Sequence, residues 1–172
     1  SKKLGLGIAI RYINSNLATG TFNGQNYKAA SSVAGDLHLY HHGAKENGQG
    51  LNWGLTLSNL GSKISYSSDA TQKDFIPANL GLGLAYTKVF DESNKITFAL
   101  DFNKLLVPTA KLDSLSGSGQ RIPTDASLAK YRSKSVASSW IKSFGEGGGI
   151  NNEIQEVNIA IGAEYWYNNQ FG

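Results

Sequence analysis

Cysteine and methionine are both absent from the 172 residues. Without cysteine there is no disulfide framework and no thiolate metal site. Without methionine there is no initiator, and the opening Ser1-Lys2-Lys3 does not resemble a basic segment leading into an apolar leader core. These absences read as an internal or processed piece of a longer chain. Long apolar runs are missing too. None approaches the ~18 residues of a spanning helix, which excludes a helical membrane protein. Charge of one sign is scarce: the net charge is +3, and no dense basic patch interleaves with aromatics, so nucleic acid is not an expected partner.

What the chain has instead is alternation. Six stretches repeat apolar residues at every second position over about twice the length of an ordinary strand. In the first, Leu4–Asn14, Leu4, Leu6, Ile8, Ile10 and Tyr12 share one face, and Gly5, Gly7, Ala9 and Arg11 the other. A period of two means extended backbone with unlike surroundings on its two sides. The second, Ala29–Tyr40, sets Val33, Leu37 and Leu39 against Ala34, Asp36 and His38. The third, Leu51–Leu60, sets Leu51, Trp53, Leu55 and Leu57 against Asn52, Gly54, Thr56 and Ser58. The fourth, Ala78–Val89, sets Leu80, Leu82, Leu84 and Tyr86 against Gly81, Gly83 and Ala85. The fifth, Lys95–Leu105, sets Ile96, Phe98, Leu100 and Phe102 against Thr97, Ala99, Asp101 and Asn103. The sixth, Gln155–Tyr167, sets Val157, Ile159, Ile161, Tyr165 and Tyr167 against Asn158, Ala160, Gly162 and Glu164.

The links between them sort by side. In an antiparallel meander, Ser15–Lys28, Gly61–Pro77 and Leu106–Ile154 fall at one end and are all long. His41–Gly50 and Phe90–Asn94 fall at the other and are shorter, and Asn168-Asn169 adds a tight-turn signal there. Long strands with alternately short and long links are the pattern of outer-membrane barrels, whose periplasmic turns are the short ones. The even links are therefore assigned to the periplasm. Trp53, Tyr86, Phe98, Tyr165 and Tyr167 all lie on the apolar face toward the short-turn end, as an aromatic girdle requires. If Val89 pairs with Lys95, Tyr86 falls opposite Phe98 and Leu84 opposite Leu100, all facing one way. The fold class expected is all-β: an antiparallel up-and-down transmembrane β-barrel, present as a fragment of about six strands. Residues 1–172 form one partial barrel domain, and 106–154 a long outer loop.

Within that loop, Leu115–Gln120 is rich in serine and glycine and reads as flexible. A helix is expected over 127–144, where Val136, Trp140, Ile141 and Phe144 can share a face. Gly145 gives it a stop, and Glu146–Gly149 a glycine-rich hinge. Those four residues are the candidate partner-binding surface. The plainer alternative is a helix folded over the barrel mouth or lying on the membrane surface.

Alternation alone does not separate lipid from a protein core, since a soluble sandwich or lipocalin has the same period. The second face decides. It holds Gly, Ala, Asn, Ser and Thr, with charge only at Arg11, Asp36, Asp101 and Glu164, which suits a crowded or wet lumen better than open solvent. Those four are the candidate lumen-facing polar residues. Their plainer reading is paired or solvated charge, as barrel interiors hold anyway. His38, His41 and His42 do not converge as ligands, and His41-His42 are expected to be solvated turn residues. Gly5-Leu6-Gly7 and Gly81-Leu82-Gly83 lack the rest of a dinucleotide fingerprint. No triad or carboxylate pair has a catalytic spacing, so no enzyme and no cofactor is expected.

Gly5–Asn16 (GLGIAIRYINSN), Tyr27–His42 (YKAASSVAGDLHLYHH), Leu51–Ser65 (LNWGLTLSNLGSKIS), Phe75–Lys88 (FIPANLGLGLAYTK), Ser135–Gly145 (SVASSWIKSFG) and Glu156–Phe171 (EVNIAIGAEYWYNNQF) together resemble the PorV-like barrels of the Bacteroidetes type IX secretion system. These sit within the wider FadL-like family. The resemblance implies an outer-membrane protein that takes cargo bearing a C-terminal signal domain from the translocon barrel. It then delivers the cargo to a surface attachment complex that includes a sortase. FadL-like walls have about 14 strands, so six strands would be a middle segment, without the family's N-terminal plug. The alternative function is a FadL-type channel for hydrophobic small molecules.

Overall fold

The computed structural model describes residues 3–17, 19–22, 24–69, 72–145 and 154–170. Six long strands make one antiparallel sheet: β1 (Leu4–Ser15), β4 (Ala30–His42), β5 (Gly50–Gly61), β6 (Asn79–Val89), β7 (Asn94–Leu105) and β10 (Val157–Tyr167), paired in that order. Two small hairpins stand outside it, β2 (Gly20–Phe22) with β3 (Gln25–Tyr27), and β8 (Ser114–Leu115) with β9 (Arg121–Ile122). Two helices, α1 (Asp125–Ser133) and α2 (Val136–Lys142), lie between β9 and β10. No described helix is long and apolar enough to cross a membrane.

Each sheet strand matches its expected stretch to within two residues at either end. The period of two is strong enough to fix both face and register, because a one-residue slip would turn every apolar side chain over. Val89 pairs with Lys95, Tyr86 with Phe98 and Leu84 with Leu100, as the parity requires. Within the described residues the sheet is open, with β1 and β10 as its edges. The antiparallel β architecture is thus established, while the described residues do not close into a barrel.

Three local expectations are corrected. The stretch expected as one helix over 127–144 is two helices, because Lys134 is extended (φ −62°, ψ 142°) and Ser135 starts α2 by accepting from the Ser138 amide. The serine hydroxyl satisfies an amide that a continuous helix would have bonded to backbone. Leu115–Gln120 is not a free linker. It is the tight turn of the β8–β9 hairpin, closed by Ser116 N donating to Gln120 O at 2.8 Å, with Gly119 at φ +80°. His41 and His42 lie in β4 and not in a turn. The glycine-rich hinge expected at 146–149 lies outside the described residues.

Candidate functional site

The two faces of the sheet differ as the sequence requires. On the apolar face Leu6, Ile8 and Ile10 are about four-fifths exposed, and Ile159 and Ile161 are exposed on the opposite edge. Large aliphatic side chains left uncovered across a whole sheet need another apolar phase to cover them. At the short-turn end of this face stand Trp53, Tyr86, Phe98, Tyr165 and Tyr167. Tyr165 donates its hydroxyl to Asn94, which ties the aromatic row to the β6–β7 turn. His41 joins this row, its ring stacked on its cross-strand partner Trp53 at 5.5 Å. The signal was available: Leu37, Leu39 and His41 continue one parity.

On the polar face Arg11, Asp36 and Asn59 form one node. Arg11 Nη2 donates to Asp36 Oδ1 at 2.6 Å and to Asn59 Oδ1 at 2.6 Å, and the Asn59 amide donates to Asp36 Oδ1 at 2.7 Å. A bulge between Gly35 and Leu37 makes this possible, with Asn59 opposite it at φ 57°. Asp101 and Glu164 are not part of this node. Asp101 leans over Gly83, where an added Cβ would sit 2.8 Å from its Oδ1, and Glu164 pairs in register with Thr97. The four expected charges are therefore one ion pair and two separate carboxylates. A shallow groove of about 320 Å³ crosses this face, lined by His38, Tyr40, Thr56, Asp101 and Asn103 over glycines 54, 81 and 83, with Leu39, Leu55 and Leu82 between them. His38 Nδ1 and Thr56 Oγ1 are 2.8 Å apart. No group of three or more potential metal ligands occurs among the described residues.

The three long links pack together into a cap at one end of the sheet. Tyr66 donates to Ser15 Oγ, Gln25 to Gln72, and Lys28 N to Tyr66 O, which joins the first link to the second. Arg132 Nε donates to Asp74 Oδ1 at 2.9 Å and Tyr131 packs edge-on against Phe75, which joins the second to the third. Lys63 is the centre of that junction. Its Nζ donates to Arg132 O and Lys134 O, each at 2.6 Å, and lies 4.3 Å from the centroid of Phe75. It thereby caps the carbonyl end of α1. Burial pushes the Lys63 ammonium below the ordinary lysine value and the Tyr131 phenol above its own. Asp113, at the base of the β8–β9 hairpin, accepts from Ser127 Oγ and Thr124 N at the start of α1. Those two bonds hold its carboxyl down to about 2.

On α2 the buried residue is Ser139, and Ser143 just after it is buried too; Val136 and Trp140 are half-buried. Ile141 is 78% exposed and Phe144 52% exposed. Of the four expected contact residues, the last two are thus the most available to a partner. Phe144 lies against Lys104, 5.6 Å from Nζ to the ring centroid. Neither Lys63 nor Lys104 was singled out from the sequence. Lys63 leaves no signal there, because its partners are carbonyls some seventy residues away. Lys104 leaves one: it is a cation at an apolar parity position.

A family model described as type IX secretion system protein PorV matches residues 1–112 of this chain. No curated protein matches it. The matched segment covers β1 through β7 and ends before α1 and α2.

Proposed function

The chain belongs to the PorV family of type IX secretion system proteins, and from that membership we propose that it is a non-enzymatic outer-membrane shuttle. Its cargo would be secreted proteins with a C-terminal signal domain, received from the translocon barrel and passed to a surface attachment complex that includes a sortase. The observation that carries the membrane part is the uncovered apolar face with aromatics gathered at one end. Tyr167 pairs with Asn94, and Lys104 marks the far end of the apolar parity on the same strand. From Asn94 to Lys104 the strand advances about 33 Å at ~3.3 Å per residue. At a tilt of about 40° that is close to 25 Å of depth, the height of the apolar band in a barrel wall. The exposed apolar face thus becomes the lipid-facing wall, with Trp53, Tyr86, Phe98, Tyr165 and Tyr167 as its girdle. Arg11, Asp36, Asp101 and Glu164 then face the lumen. Closure requires strands beyond the six described.

Recognition is assigned to the cap, chiefly to 106–154, with Val136, Trp140, Ile141 and Phe144 as partner-binding residues. Exposed apolar and aromatic side chains on a loop held by a rigid wall are what a docking partner can desolvate. The channel alternative predicts an apolar pocket on the inner face. The groove there is shallow and sets His38, Thr56, Asp101 and Asn103 among Leu39, Leu55 and Leu82, so what favours the shuttle is the family membership. Capture of signal-domain cargo by the full-length protein tests this. Trp140→Ala together with Phe144→Ala should weaken capture at least tenfold, and undiminished capture removes these residues from the recognition surface.

A further inference from the structure

Lys104 breaks the pattern of its own strand. Ile96, Phe98, Leu100 and Phe102 precede it at every second position, and its partners in register are Leu80 on one side and Val157 on the other. It therefore projects from the apolar face, yet it is only 6% exposed. Its Nζ donates to Glu156 Oε2 at 2.6 Å, and the Phe144 ring lies against it. Phe144 stands just beyond α2 and Glu156 just before β10. One ammonium thus gathers the two ends of the connection between α2 and β10. Lys63 holds the end of α1, just ahead of α2, through the Arg132 and Lys134 carbonyls.

We propose that Lys104 is the positioning residue of α2: it latches the end of the helix to the rim of the apolar face, so that Ile141 and Phe144 are presented beside the wall and not over its mouth. A leucine at this position would continue the parity and bury equally well. It would also accept any apolar segment as its cover. A desolvated ammonium accepts few covers, because it needs a carboxylate and profits from a ring face. The charge therefore selects which stretch of the long link docks here. This inference rests on the reading of α2 as the partner contact, and the two are separable by experiment.

The full-length protein, reconstituted in lipid vesicles, carries nitroxide labels at Ile141→Cys and at the exposed turn position Glu92→Cys; no cysteine of the 172-residue sequence competes. The distance distribution between the labels should be narrow. Lys104→Met should broaden it at least twofold, and Lys104→Arg, which keeps the cation, should leave it narrow. A distribution as narrow in Lys104→Met as in the parent overturns the latch, and so does one as broad in Lys104→Arg as in Lys104→Met. If Lys104→Met fails to assemble, Glu156→Gln carries the test with the same expected broadening. Cargo capture is measured on the same Lys104 variants without labels, so that Ile141 is intact. Broadening with capture reduced in Lys104→Met and restored in Lys104→Arg supports the positioning role. Broadening with undiminished capture overturns the partner reading of α2 and leaves the latch standing.

Discussion

Asn59 shows how one residue can serve backbone and side chain together. Its φ of 57° suits the bulge, its side chain accepts from Arg11 and donates to Pro77 O, and its amide caps Asp36. Both Asn59→Gly and Asn59→Ala lose the side-chain bonds, but only alanine also pays about 1–2 kcal/mol to hold the left-handed region. Unfolding in urea from micelles should therefore rank glycine above alanine by about that amount; equal stabilities would refute the backbone role. Gly61 poses a steric question. A Cβ there would sit 2.3 Å from Val33 O and 2.9 Å from Ala34 Cα, both backbone. Gly61→Ala should cost about 1–3 kcal/mol as overpacking. Gly117→Ala, where nothing lies within 4 Å, should fall within about 0.5 kcal/mol of the parent. Neither requirement is legible in the sequence, because each depends on what crosses from another strand.

Among elements, the strands were legible and the helical link less so. A period of two over ten residues leaves one solution for face and register, which is why the Val89–Lys95 pairing could be read without a structure. The α1–α2 break turned on Ser135, a serine whose capping role competes with simple helical continuation. The seam between hairpin and helix has its own titration. Asp113 is held at about 2 in the fold, against an ordinary carboxylate near 4. A depressed folded value means the contact is fully present above about pH 4 and is lost as pH falls toward 2. The Thr124 amide resonance, which reports the bond to Asp113, should titrate with a midpoint near 2. A midpoint near 4 would show that the bond does not form in solution.

At the scale of the whole molecule, the decisive property is that one face of the sheet is apolar and exposed and the other is polar. Trp53 lies on the apolar face and Trp166 on the polar one, its ring beside Lys95 at 6.0 Å. In single-tryptophan versions of the full-length protein, brominated acyl chains should quench Trp53 strongly and Trp166 weakly. Equal quenching would mean that the faces have been assigned wrongly. The sequence carried this division because alternation records which side is apolar and which is polar. It did not carry the cap, whose ion pairs and stacked rings join segments from all three long links, nor the Arg11–Asp36–Asn59 node, which needed a bulge to assemble.

All three long links gather at one end, and polar contacts join them to one another. A hydrophilic lobe of that kind is not transferred through hydrocarbon as a finished unit, because its bonded backbone would meet no solvent there. If the sheet is the wall of an outer-membrane barrel, as proposed, the three loops thread across unfolded during biogenesis. On that reading the clasp of Lys63 on the Arg132 and Lys134 carbonyls would be among the last events of maturation, completed after the loops have crossed.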